Sequence, residues 1–183
     1  HLSLVKGGRL AMAGKPGLFV SLILSDVIGN PLDIIASGPT VADPSTYREA
    51  LAILQGSTCR DQIPPSVARV LEEGLAGMRE ETPKHLPETV HNLILGDNEM
   101  ALAAAATSAK QRGFHVESLG SAIAGESRNV GHALARQALA IRGQQRPGMP
   151  PVCLLSGGET VVSNVASGGK GGRNQELMIG FLE

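Results

Sequence analysis

Apolar residues along this chain fall into short unbroken runs and longer stretches with helical spacing, and their alternation predicts the elements. Residues 18–24, LFVSLIL, are a continuous apolar, β-rich run between Gly17 and Ser25-Asp26, the pattern of a strand buried on both faces. Asp26 then falls at the carboxyl end of that strand. Residues 27–44 break any period with Gly29, Pro31, Gly38, Pro39 and Pro44, and loops this long inside compact domains are usually functional. Asp43-Pro44 offers an N-cap followed by proline at the first helical position, which predicts a helix over 47–55 stopped by Gly56. A second helix is predicted over 65–75.

The polar stretch 78–89, with Pro83 and Pro87, reads as a linker and places a boundary near residue 85. Beyond it a strand is predicted over 90–95, an Ala-rich helix over 98–112 stopped by Gly113, a strand over 114–119, a helix over 125–142 and a strand over 152–156. The first three of these form a βαβ unit, and the alternation argues for a largely parallel sheet wound by helices. The expected fold class is α/β, with two α/β domains of Rossmann-like, helix-flanked sheets: residues 1–85 as the end of one domain and 86–183 as a second. The chain opens on His1, and its last residues, GGRNQELMIGFLE, start a helix without a stop signal, so both termini read as incomplete. There is no internal repeat or low-complexity tract.

Composition narrows the classes. With 42% hydrophobic and 18% charged residues the chain has material for a core and no disorder signature. A formal net charge of -1 supplies no field that would recruit nucleic acid or an anionic membrane, so any phosphate chemistry is local. Cys59 and Cys153 lack paired spacing, which argues against a zinc site or a disulfide framework and for a reduced, cytoplasmic setting. No apolar run approaches the ~20 residues of a membrane helix. His85, His91, His115 and His132 show no metal-binding spacing.

Three places carry candidate chemistry. Asp26, at a strand end before the Gly/Pro loop, sits where ligands bind in open α/β sheets, and its carboxylate suits a metal ion or a proton acceptor; the alternative is a turn cap. Ser156-Gly157-Gly158-Glu159 follows a strand, and its successive amides could form an anion-binding nest with Glu159 contacting metal or substrate; the alternative is a tight turn into the next strand. The third is 167–176, SGGKGGRNQE, in which a glycine loop, Lys170 and Arg173 precede a helix N-terminus. Gly171, Gly172 and Asn174 belong to this anion loop, which is neither a Walker A motif nor GxGxxG; its alternative is a disordered glycine hairpin.

The segments HLSLVKGGRLA (1–11), SLILSDVIGNPLDIIASGPTVADP (21–44), LLSGGETVV (154–162) and GKGGRNQEL (169–177) together resemble the glycerate 2-kinase family, whose carboxyl-terminal MOFRL-type module bears the last of these motifs. The blocks around LSDVIGNPLDIIASGPT and GGRNQE are the specific ones; residues 56–150 are similar mainly in pattern. The resemblance implies a two-domain enzyme with its site in the interdomain cleft, transferring the γ-phosphoryl of ATP, with Mg²⁺, to the 2-hydroxyl of D-glycerate. It places the catalytic roles on Asp26 and Arg173, with Asp26 as base or metal organiser and Arg173 on the phosphoryl or the substrate carboxylate. Asp26 and Glu159 are the metal candidates, and oligomerisation is compatible with the pattern. A lysine and a glycine-rich segment that the family carries upstream of this region lie outside the chain, so the isolated chain is expected to be weakly active or inactive. The rival expectations are a hydroxypyruvate reductase, against which no GxGxxG follows a strand, and a noncatalytic module binding a phosphorylated metabolite.

Overall fold

A computed structural model describes residues 1–14, 17–163 and 170–183. They divide into two compact units, one of His1–Ile23 with Pro31–Leu95 and the other of Leu24–Asn30 with Gly96–Glu183. The described strands form three pairs: β1 (Phe19–Leu24) with β2 (Val90–Gly96), β3 (His115–Ser118) with β5 (Val152–Leu155), and β4 (Ile123–Glu126) with β6 (Gly158–Val161). The second and third pairs are parallel, in register His115↔Val152 and Ile123↔Gly158. In the first, Phe19 N–H donates to Thr89 O at 2.9 Å and Ser25 N–H to Gly96 O at 3.0 Å, so these strands also run the same way. The fold is therefore α/β with small parallel sheets flanked by helices. The expected pairing within one βαβ unit is corrected: β2 is bonded to β1, whereas β3 takes β5 as its neighbour.

In the first unit, α1 (Arg9–Ala13) is followed by α2 (Tyr47–Gly56) and α3 (Pro65–Leu75). α2 starts at Tyr47 as expected, but its cap differs from expectation. Asp43 spends its carboxylate on the Ser45 N–H (2.9 Å) and Oγ (2.6 Å), closing a local turn. The cap falls to Thr46, which accepts from Glu49 N–H at 3.2 Å while the Glu49 carboxylate accepts from Thr46 N–H at 2.8 Å. Tyr47 and Leu71 are buried, and a Cβ at Gly74 would lie 2.3 Å from the Tyr47 ring, so glycine lets α3 close on α2. β1 is not buried on both faces: inward Phe19, Ser21 and Ile23 alternate with exposed Val20, Leu22 and Leu24.

Residues 78–89 are packed into this unit. Thr82 is 2% exposed, and the Lys84 ammonium donates to Asp43 O (3.1 Å), Thr82 Oγ1 (3.0 Å) and Ser45 O. The long loop is likewise pinned. Ala36, Ser37 and Gly38 all lie in the left-handed region, at φ 52°, 61° and 54°. The segment before α1 holds them there, through Gly7 N–H to Ser37 O (3.0 Å), Gly8 N–H to Gly38 O (2.7 Å) and Lys6 Nζ to Ala36 O (2.7 Å). Two non-glycine residues at positive φ persist only where surrounding bonds over-determine them.

In the second unit, α4 (Asn98–Gln111), α5 (Ser127–Gln144) and α6 (Arg173–Leu182) flank the two short sheets. The helix expected from Gly125 begins instead at Ser127, because residues 123–126 pair with β6 as a strand. Ser127 is fully buried; its Oγ donates to Val161 O at 2.9 Å and lies 2.9 Å from Thr160 Oγ1, tying the start of α5 to β6. α5 and α6 meet through glycines. A Cβ at Gly131 would lie 2.1 Å from Leu177 O, and one at Gly180 would lie 2.3 Å from Arg128 O.

Candidate active site

Asp26 sits on a short turn held at both ends. Ser25 N–H is bonded to Gly96 O, Ser25 Oγ accepts from Val27 N–H at 3.2 Å, and Asn30 N–H returns to Val27 O at 3.1 Å. Asn30, at φ 53°, donates its side-chain amide to the Asp97 carboxylate at 2.7 Å. Asp97 in turn caps α4 by accepting Met100 N–H at 2.7 Å. That cap bond, followed by the Asn30 bond, holds the Asp97 carboxyl below its ordinary range. Asparagine tolerates the left-handed region better than most residues, which accounts for its place here. Asp26 is left exposed at the head of this turn.

A pocket of about 440 Å³ brings Asp26 together with Gly158, Glu159 and Thr160 of β6 and with residues 171–175 at the start of α6. All of them belong to the second unit. Gly158 has φ 152°, and a Cβ there would lie 2.0 Å from Ile123 O, so only glycine can begin β6 at this distance from β4. Gly157 N–H is spent on Gly120 O at 2.9 Å and Gly157 O accepts from Ile123 N–H at 3.0 Å. Gly158 thus serves a close approach of backbones, whereas a Cβ at Gly157 would meet the Leu102 side chain at 3.1 Å. Ser156, Gly157 and Lys170 do not line this pocket, whereas Gly158, Glu159, Gly171, Gly172, Arg173 and Asn174 do.

At the other wall, Gly172 occupies the N-cap of α6 in extended conformation without a side-chain cap, and Glu176 N–H makes the first turn's bond to Gly172 O at 3.0 Å. The N–H groups of residues 173–175 therefore have no carbonyl of their own helix to bond, which together with the dipole favours an anion. Arg173 projects from this first turn. Its Nη1 donates to Glu159 Oε1 at 2.5 Å and to Thr160 O at 3.4 Å, with the two charged side chains 49% and 40% exposed. An exposed pair of this kind contributes ~1 kcal/mol or less. A bidentate, charge-assisted contact to phosphate contributes more, ~1.5–3 kcal/mol, so a phosphoryl group can take the guanidinium from Glu159. Ser167, Gly168 and Gly169 of the glycine loop lie outside the described residues.

Two contacts at the site escaped the pattern of the sequence. The Thr160 carbonyl reaches Arg173 only because β6 pairs with β4, and Glu126 accepts from Ser163 N–H at 3.1 Å and Oγ at 2.7 Å, fixing the chain as it leaves β6. Gln175 also faces the pocket and was legible as part of GGRNQE. The carboxylates of Asp26 and Glu159 are hard oxygen donors in one pocket. Among the described residues no group of three His, Cys, Asp or Glu side chains could hold a metal ion. Magnesium commonly takes one or two carboxylates and leaves its other positions to water and phosphate, so the pair fits that ion. Among the described residues no helix is long and apolar enough to cross a membrane.

The chain resembles several known proteins. Residues 1–72 match a family model described as a domain of unknown function, DUF4147. The chain is 41% identical over 179 residues to the glycerate 2-kinase of Pyrococcus horikoshii, across 98% of this chain and 40% of that protein. A putative hydroxypyruvate reductase of Agrobacterium vitis is also 41% identical, over 180 residues. The crystal structure of glycerate kinase from Thermotoga maritima superposes with a TM-score of 0.76 at 38% identity, covering 99% of this chain and 41% of that one. The chain spans about two fifths of the length of these curated relatives. On sequence and fold together, the chain is similar over nearly its whole length to a part of these glycerate kinases.

Proposed function

We propose that this chain supplies part of the active site of a D-glycerate 2-kinase, which transfers the γ-phosphoryl group of ATP to the 2-hydroxyl of glycerate and yields 2-phosphoglycerate and ADP. The observation that carries the proposal is the convergence on one pocket of Asp26, from a strand-end turn, and Arg173, from the first turn of α6. Phosphoryl transfer asks the protein mainly to position reactants and neutralise charge. The glycerate hydroxyl oxygen forms the new bond to phosphorus as the bond from phosphorus to the β,γ-bridging oxygen breaks, and ADP departs with that oxygen. Asp26 accepts the hydroxyl proton or holds the cation, while Arg173 and the free N–H groups of α6 take up charge on the phosphoryl oxygens. Mg²⁺, bound by Asp26 and Glu159, would neutralise charge on the β- and γ-phosphates. In this reading residues 1–85 complete a first Rossmann-like domain, 86–183 belong to a MOFRL-type module, and the enzyme works in the cytoplasm.

The test is a coupled ADP-release assay with D-glycerate, ATP and Mg²⁺, on this chain and on a polypeptide extended to the length of its relatives. Arg173→Ala is expected to lower kcat/KM by about 100-fold or more, in the range for losing a donor aimed at developing charge. Asp26→Asn is expected to lower kcat while ATP affinity changes little. NADH-dependent reduction of hydroxypyruvate by the extended protein, without ADP release, would overturn the proposal.

A further inference from the structure

Glu159, offered above to Mg²⁺, is turned in this structure onto Arg173, where it places a negative charge directly on the cation meant for the substrate. Its contact with Arg173 is one-sided. Only Nη1 is engaged, by Glu159 Oε1 at 2.5 Å and more distantly by Thr160 O at 3.4 Å. Among the described residues, Nε and Nη2 of Arg173 and Oε2 of Glu159 have no recorded hydrogen-bond partner. A guanidinium offers five donors, so one edge is held and the rest are presented to the pocket. The pair is half exposed and therefore exchangeable with a competing anion.

We infer that Glu159 is an internal competitor for Arg173: its carboxylate holds the guanidinium until an incoming phosphoryl group displaces it. The inference rests on the reading of this pocket as a phosphoryl site and names the threshold that an anion must exceed to occupy it. Displacement costs every anion that uses Arg173 the same factor. An anion with one contact, such as acetate, then binds too weakly to hold the site. A polyphosphate recovers the loss through the N–H groups at the start of α6.

The pocket's other acidic residue, Asp26, also repels anions, so the experiment separates competition for Arg173 from a general loss of negative charge. Sodium tripolyphosphate is titrated into the unmodified 183-residue chain, Glu159→Gln, Arg173→Ala, Asp26→Asn and both double variants with Arg173→Ala, with calorimetry as the readout. Glu159→Gln is expected to bind about threefold tighter, the scale of a half-exposed pair. That gain disappears in the Arg173→Ala background, whereas whatever change Asp26→Asn makes, large or small, is the same in both backgrounds, since only the first acts through the guanidinium. Glu159→Asp, which keeps the charge but shortens the reach, is also expected to tighten binding and guards against an unfolded Gln variant. Unchanged or weaker binding by Glu159→Gln, or a gain that survives without Arg173, overturns the inference and leaves the phosphoryl site standing. No binding by any form removes both.

Discussion

Gly158 shows how tightly a single residue sets this site. Its φ of 152° and the 2.0 Å separation between a hypothetical Cβ and Ile123 O leave no room for a side chain, and the obstacle is backbone. Gly158→Ala is expected to destabilise the chain by ~3 kcal/mol, combining backbone strain with forced separation of β4 and β6, and thermal denaturation followed by circular dichroism measures it. Because Glu159 and Thr160 follow directly, the same change should loosen the hold on Arg173. The places of Asp26 after β1 and of Arg173 at the start of α6 were legible in the sequence for a physical reason: a carboxylate at the end of an apolar run and a cation at the start of a helix are local patterns. The bond between Arg173 and Glu159 was not legible, since it depends on the pairing of β4 with β6 and on where α6 docks. The same pairing hid β4 itself, whose four residues carry no period long enough to separate them from the helix that follows.

At the scale of elements, the position of α6 decides where Arg173 points. α6 docks on α5 through Gly131 and Gly180, where backbones approach too closely for a methyl group. Gly180→Ala, about two turns along the helix from Arg173, is therefore expected to weaken tripolyphosphate binding as well as lower the melting temperature, although it touches no ligand. A melting temperature that falls with unchanged affinity would show that α6 is positioned by other contacts. The start of α4 carries a second prediction. The Asp97 carboxyl is held below its ordinary value by the Met100 N–H and by Asn30, so the folded state binds its proton less readily than the unfolded chain. Its contribution is complete above the unfolded value and is lost as pH falls through the lower folded one. Melting temperatures measured from pH 5 downwards should decline less steeply in Asp97→Asn than in the unmodified chain. Helices were read well from sequence where a local signal framed them, as in α3, which opens on Pro65, and α4, which ends before Gly113. The start of α2 at Tyr47 was also legible, but its cap was not, because Asp43 is both a good cap and a good turn former and closes a turn onto Ser45 instead.

At the scale of the molecule, large apolar side chains stand exposed in both units. Val20, Leu22 and Leu24 of β1 and Leu93 and Leu95 of β2 stand exposed on the outward positions of alternating strands. Leu22, 65% exposed, is the most informative of these to change. Leu22→Lys is expected to alter stability by only ~0.5 kcal/mol or less and to reduce binding of a hydrophobic dye, whereas a covered Leu22 would make the same substitution costly. The unbroken apolar run that suggested two-sided burial is the same in either case, which is why hydropathy alone could not distinguish them.

The division of the chain has a consequence for anyone who would take the protein apart. Residues 24–30 pack with the second unit although they lie in sequence inside the first. A gene cut at residue 96 would therefore yield a tidy carboxyl-terminal polypeptide that retains Arg173 and Glu159 but leaves Asp26 behind on the other product. Exchange of that half between relatives by a single crossover would pair one parent's acid with another parent's arginine. Chimeras that preserve the site need two junctions, so that the seven-residue turn travels with the helix it faces.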